Sequence, residues 1–196
     1  MIKGKLKRDI HFIIELDKMK SILRQTSLID GSRKENDAEH SWHISVMAMI
    51  LHEYSNLPID LCKVIKMLLV HDLVEIYAGD TFCYDKEGNA SKEARELEAA
   101  DKLFIMLDEN KGKELRNLWE EFEEGKSNEA IFAAAMDRMQ PIFSNYYNNG
   151  GTWKKHNIKK EDVYKRMAPI KEASDELWEF VTNMVEDVVD KGYISG

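Results

Sequence analysis

The chain is poor in cysteine, with two in 196 residues, and Cys62 and Cys83 stand outside any CxxC spacing. That pattern excludes a disulfide framework and a zinc finger, and makes a reducing cytoplasm the expected compartment. Long apolar runs are missing too: no stretch reaches the roughly 20 apolar residues that span a bilayer. The N-terminal segment is basic like the start of a signal peptide. Glu15 and Asp17 interrupt its apolar run HFIIEL, however, and no small-residue cleavage site follows, so no leader is expected. Positive charge is scarce: 28 basic residues face 36 acidic ones, a formal net charge of -8. This argues against a long nucleic acid as partner but leaves room for a small anion held by a local basic cluster. Strand-forming alternation is nearly absent.

What remains is helical in pattern. Apolar residues recur at three- and four-residue spacing, and at this length they predict one compact all-α domain over residues 1–196, a bundle of about seven or more helices around one core. A first helix is expected from about Lys7 to Arg24, with Ile10, Ile13, Ile14, Met19 and Leu23 on its apolar side. A polar loop from Gln25 to Glu35 follows, with a turn at Gly31-Ser32. Asn36 and Glu39 fit a capping box that opens a helix from about Asp37 to Ser55, in which Ile44, Met47, Met49, Ile50 and Leu51 supply core surface. Asp60 caps the next helix, LCKVIKMLLVHDLVEIYAG, which Gly79 ends. Asp80 to Ala90 reads as an exposed loop and a candidate lid. Helices then follow from Ser91 to about Asp108, around Leu115 to Glu124, and from Asn128 to Tyr147 with a kink at Pro141. After a turn at Asn148–Trp153, a last helix runs from about Lys160 to Asp190, interrupted at Pro169.

The chemistry is concentrated in KMLLVHDLVEIYAGD. His71 and Asp72 stand in an apolar helix, where an imidazole and a carboxylate are costly to bury unless they bond one another or ligate a metal. The dipeptide alone is compatible with either. Glu75, four residues after His71, falls on the same helical side. EHSWHIS places His40 and His43 one turn apart, and AAAMDRMQP places Asp137 in an apolar helix where a lone carboxylate lacks partners. Two imidazoles and two carboxylates compose a nitrogen–oxygen set suited to Mn²⁺, Fe²⁺, Co²⁺, Ni²⁺ or Mg²⁺ more than to a closed structural Zn²⁺, with catalytic Zn²⁺ a further candidate. A metal so held activates water, and no serine or cysteine nucleophile is then required.

In order and spacing, His40, His71-Asp72 and Asp137 on successive helices resemble the HD-domain metal-dependent phosphohydrolases. The segments EHSWHISVMA, HDLVEIYAGD and MDRMQPIFSNY are similar to the oxetanocin-like and 5'-deoxynucleotidase branch, which removes phosphate from nucleoside monophosphates. The likeness runs from about Phe12 to Trp178. It implies an HD-domain helical bundle and a homodimer, with His40, His71, Asp72 and Asp137 as metal ligands and Glu75 and Asp72 as catalytic residues. It further implies that Arg24, ending the first helix, contacts the phosphate and that Asp80 accepts from a sugar hydroxyl. One position departs from the branch. Gln25 stands where members selective for deoxyribose carry a tryptophan after the phosphate arginine. Arg33 and Lys34 compete with Arg24 for the phosphate.

The expected substrate is therefore a small phosphate ester, a nucleotide. Triphosphates, cyclic dinucleotides and alarmones are the enzymatic alternatives, and the sequence shows no basic cluster denser than Arg24, Arg33 and Lys34 to favour them. A metal- or nucleotide-binding protein without turnover is the alternative from another class. His43 reads as a core or hydrogen-bonding residue, and His11, His52 and His156 as surface or structural ones. Arg138 is turned about 100° from Asp137 on a helix and is expected to pair with an acidic neighbour. Tyr146, Tyr147 and Trp153 read as packing between the last helices, Met47, Met67 and Met136 as core, and Trp119 and Phe122 as turned inward.

Overall fold

Helix signals dominate the sequence, and helices dominate the computed structural model, which describes residues 4–195; residues 1–3 and 196 of the expected domain lie outside the described residues. The first helix, α1, spans Lys5–Leu16 and passes into a 3-10 turn at Asp17–Ser21. The chain then extends, so Arg24 sits in a strand and does not end a helix. Strand β1 (Leu23–Ser27) pairs antiparallel with β2 (Lys34–Asn36), Leu23 opposite Asn36 and Ser27 opposite Lys34, with a shift of register between the two pairs. The expected polar loop is thus a hairpin. Its signal was Asp30-Gly31, an Asp-Gly turn in which Gly31 takes φ 71°, open to glycine at no steric cost. Of the expected apolar side of the first helix, Met19 is buried, but Ile10, Ile13, Ile14 and Leu23 are exposed, and α1 turns Phe12 inward instead.

Helix α2 (Asp37–Leu51) begins with the anticipated capping box, Asn36 accepting from the Glu39 amide and Glu39 from the Asn36 amide. Its Ile44, Met47 and Ala48 are buried, whereas Met49 and Ile50 face outward with Trp42. Asp60 caps α3 (Leu61–Val70) by accepting from the amides of Cys62 and Lys63. The long helix expected through Ala78 breaks at the His-Asp dipeptide. Leu73 donates to the Val70 carbonyl and Glu75 to that of Asp72, i→i+3 bonds of a tightened turn, before the short α4 (Glu75–Ala78). Gly79, at φ 75°, then redirects the chain to Asp80.

Of the segment expected to be an exposed loop, residues 80–85 are irregular, with Phe82 and Tyr84 packed on the core, while the rest forms the short, largely exposed α5 (Lys86–Ala90), capped by Asp85. Helices α6 (Lys92–Phe104) and α7 (Glu109–Glu124) follow, the latter longer than expected because Asp108 caps it early. Ser127 caps α8 (Asn128–Tyr147), which continues through Pro141. The small side chains of Ala130, Ala133, Ala134 and Ala135 let α8 run close to α2, α3 and α11. The last segment is α9 (Gly151–Lys155), α10 (Lys160–Arg166), α11 (Ala168–Ala173) and α12 (Asp175–Asp190). Pro169 starts a helix here rather than merely interrupting one, and Ser174 separates α11 from α12 while capping the latter.

Two apolar clusters form among the described residues, where one core was expected. The larger joins α2, α3, α8 and α10–α12 around Phe132, Met67 and Met136; the smaller joins α1, α6 and α7 around Leu103, Phe104 and Trp119. Met67 and Leu68 belong to the first and Val70, Leu73 and Val74 to the second, so His71 and Asp72 lie at their seam. Among the described residues, no helix is long and apolar enough to cross a membrane.

Candidate metal centre

Four elements deliver the polar residues to that seam: β1 carries Arg24, α2 carries Asp37 and His40, the turn after α3 carries His71 and Asp72, and α8 carries Asp137. His40 is fully buried, and His71 and Asp137 nearly so. His40, His71 and Asp72 offer ligand atoms within 4.8 Å of one another. Asp137 joins them, with Oδ1 at 2.9 Å from Nε2 of His40 and 3.9 Å from Nε2 of His71. The four residues singled out in sequence are brought together.

The hydrogen bonds around His71 test whether these residues fit a metal. Its Nδ1 lies 2.8 Å from the Leu68 carbonyl oxygen, which only accepts, so Nδ1 carries a proton and Nε2 is the ring nitrogen left to face the site. Nε2 faces Oδ2 of Asp72 at 3.0 Å. Nε2 of His71 and Nδ1 of His40 have no hydrogen-bond partner among the described residues. An orphaned buried imidazole nitrogen beside the carboxylate oxygens of Asp72 and Asp137 fits a divalent cation. Phe122 meets the His71 ring edge-on at 4.9 Å between centroids and fixes its plane.

Around this group lies a ring of carboxylates, of which the sequence singled out Glu75 and Asp80 but not Glu35 and Asp37. Glu35, on β2, accepts from Nε2 of Gln140 at 2.8 Å and turns its other oxygen toward Nδ1 of His40 at 3.6 Å. Asp37, Glu75 and Asp80 form a second cluster within 4.8 Å, so the tightened turn directs Glu75 to Asp37 and Asp80. Burial, reinforced by Asp72, pushes the Asp37 carboxyl up to about 7 and Glu75 well above its ordinary range. Burial also raises Asp80. Asp72 shares that burial, yet His71 and Arg24 beside it outweigh the effect and hold it well below the usual carboxylate range.

Arg24 is the counter-ion at the centre. Its Nη1 is 2.8 Å from Asp72 Oδ2 and 3.7 Å from Asp37, its Nε is 3.8 Å from Glu35, and its Nη2 is 3.9 Å from Asp137. Thr152 donates to the Gln25 carbonyl and ties this strand to α9. The competitors are placed elsewhere: Arg33 pairs with Glu39 on the surface and Lys34 donates to the Gln25 side chain. His43 receives a long contact from Gln140 at 3.4 Å.

A cavity of about 320 Å³ opens on this centre, lined by Arg24, Gln25, His71, Asp72, Glu75, Asp80 and Asp137. Phe82, Tyr84, Trp153 and Ile142 give it an apolar wall, so Trp153, for which helix packing is the first reading and covering the site the second, shapes the cavity. Arg138 pairs with its own neighbour Asp137, and it too faces the cavity, together with Arg166 from α10. Burial, with Arg166 nearby, brings Arg138 down to about 9.

Comparison with known proteins matches this geometry. The HD domain family model matches residues 16–178. A protein from Magnetospirillum magnetotacticum, described as a predicted metal-dependent phosphohydrolase, is 43% identical, with a TM-score of 0.93 over 99% of this chain and 100% of that one. The 5'-deoxynucleotidase HDDC2 of Homo sapiens is 36% identical over 110 residues, which are 56% of this chain and 52% of its own length. The protein of that name from Dictyostelium discoideum is 33% identical over 117 residues, covering 57% of this chain and 62% of its own. The chain thus spans about half the length of the curated relatives it matches. With the family model covering most of its residues, and with two histidines and two aspartates gathered in the order seen along the sequence, this chain belongs to the HD-domain family.

Proposed function

We propose that the protein is a metal-dependent phosphohydrolase, a single HD domain that releases phosphate from nucleoside 5'-monophosphates. The observation that carries this reading is the buried His71 Nε2, without a hydrogen-bond partner among the described residues and 3.0 Å from Asp72 Oδ2, with His40 and Asp137 completing a nitrogen–oxygen set. The likeness to a metal-dependent phosphohydrolase along the whole chain and to 5'-deoxynucleotidases over half of it supports the same reaction class.

In this reading His40, His71, Asp72 and Asp137 hold a divalent cation, with Mn²⁺, Co²⁺, Fe²⁺ or Ni²⁺ the expected occupants. When bound, it supplies Lewis acidity toward a phosphoryl oxygen and acidifies water. Arg24 offers a planar fork of donors to the remaining phosphate oxygens. Glu75, whose carboxyl is pushed up by burial and by Asp72 and Asp37, is suited to give a proton to the ribose oxygen, which keeps the bonding pair as water adds to phosphorus and the phosphorus–oxygen ester bond breaks; a proton of the added water returns to Glu75. Asp80 accepts from a sugar hydroxyl. The apolar wall of Phe82, Tyr84 and Trp153 receives the base. Gln25, a smaller and polar residue where a tryptophan favours deoxyribose, leaves room for a ribose 2'-hydroxyl.

The exposed apolar residues of α1 and α2, Leu6, Ile13, Ile14, Trp42, Met49 and Ile50, support a homodimer. The two exposed free cysteines suit a reducing cytoplasm. Phosphate release from paired ribo- and deoxyribonucleoside monophosphates, with Mn²⁺, Co²⁺ and Mg²⁺ in turn, tests the function. Release from both sugar series is expected. No release from any monophosphate by protein that binds the metal would overturn the reading.

A further inference from the structure

The charges lining the cavity are unevenly divided. Arg24 has four carboxylates within 4 Å, at Asp72, Asp37, Glu35 and Asp137, and is fully compensated. Arg138 and Arg166, brought from α8 and α10, are 28 positions apart in sequence, and they line the same cavity. Arg138 has one acceptor, Asp137 Oδ2, while the other oxygen of Asp137 lies against His40. Arg166 has no carboxylate within ion-pair distance among the described residues; the groups that act on it most are Cys83 and Tyr84, and Arg24 and Asp72 act more weakly. Glu123 and Glu172 line the cavity without pairing to it. Arg166 is exposed, so its guanidinium is open to an anion from solution, and it lies on the side of the cavity bounded by α10 and by Phe82 to Tyr84.

We propose that Arg138 and Arg166 form a second anion-binding end of the cavity and that the preferred substrate carries two phosphates, one at the His–Asp centre and one on these arginines. The inference rests on the phosphohydrolase reading for the fate of the first phosphate, but the second locus binds its anion whether or not the first is cleaved. A monophosphate placed at Arg24 and the histidines leaves the Arg166 fork empty. A second phosphate fills it with bidentate, charge-assisted hydrogen bonds. Between the two ends, Tyr84, Trp153 and Phe82 provide the apolar surface on which a nucleoside rests. The basic cluster that the sequence lacks as a run is assembled by tertiary structure.

The second phosphate can sit on the 5' chain or on the 3' hydroxyl, and calorimetry separates the two. ADP, adenosine 3',5'-bisphosphate and AMP are titrated into the full chain in EDTA, as wild type, Arg166→Gln and Arg166→Lys, each checked for a cooperative melting transition. At least one two-phosphate compound is expected to bind wild type ten-fold or more tightly than AMP, and which one does so locates the phosphate. Arg166→Gln is expected to abolish that preference and Arg166→Lys to keep part of it. Equal affinities for all three compounds, no binding of either two-phosphate compound, or an undiminished preference in folded Arg166→Gln protein would overturn the proposal. A preference in binding without phosphate release after Mn²⁺ loading would leave the anion site standing and overturn the phosphohydrolase reading instead.

Discussion

Nη1 of Arg24 lies 2.8 Å from Oδ2 of Asp72, the oxygen that also faces Nε2 of His71 at 3.0 Å. One carboxylate oxygen is therefore shared between the residue assigned to the substrate and a residue assigned to the metal. Arg24→Lys keeps the charge but loses the planar fork that reaches several acceptors at once. The variant is expected to lose about ten-fold or more in kcat/KM on nucleoside monophosphates, one or two charge-assisted hydrogen bonds' worth. Its metal content, read by elemental analysis, should be unchanged.

Glu75 is separated from the metal ligands by its place in the Asp37–Asp80 cluster. Glu75→Gln preserves shape and removes the transferable proton. Its kcat should fall by about 10²–10⁴, the usual range for losing a general acid, with the metal retained. A loss of metal along with activity would reassign Glu75 to the metal.

Glu35 brings a buried oxygen within 3.6 Å of Nδ1 of His40, beyond hydrogen-bond distance, and is itself held by Gln140. Glu35→Gln is expected to weaken metal binding by about 10–100-fold, the usual effect of removing an outer partner of a ligand, as measured by competition with a chelator. Gln140→Ala leaves one oxygen of Glu35 without its donor and should cost about 1–3 kcal/mol in chemical denaturation.

The metal-free protein should grow more stable as pH falls from 7 toward 5. Asp37 is raised to about 7 by burial and Asp72, so across that window the folded state binds a proton that the unfolded chain, titrating near 3.8, does not. Asp72 has the opposite sign: its lowered value stabilises the fold above the unfolded pKa, and that contribution is lost only in stronger acid. Melting temperatures of EDTA-treated protein at pH 5 and 7 test the direction, and a lower value at pH 5 would contradict it.

The parts of the site legible in the sequence were those that break a local rule. His71, Asp72 and Asp137 are polar residues in apolar helical stretches, and their burial without partners was visible from the pattern alone. Glu35 and Asp37 sit in KEND, a polar run that looks solvated, and only the hairpin folds it inward. That hairpin was hidden because β1, LRQTS, has no apolar alternation; its pairing rests on the Asp30-Gly31 turn and on Asp37 donating to the Ile22 carbonyl. The helix break at His71 was hidden for a different reason. The apolar run continues to Ile76, and only the i→i+3 bonds at Leu73 and Glu75 show the change. Arg138 reads in the sequence only as pairing with an acidic neighbour and Arg166 carries no local signal, because their sharing of one cavity is a property of how α10 packs.

The most direct test of the central claim is phosphate release from a nucleoside monophosphate by protein stripped with EDTA and then reloaded with Mn²⁺, beside Asp72→Asn treated identically. The account predicts no release from stripped protein, recovery on reloading, and neither metal nor release in Asp72→Asn. Undiminished release by the stripped protein or by Asp72→Asn would contradict it.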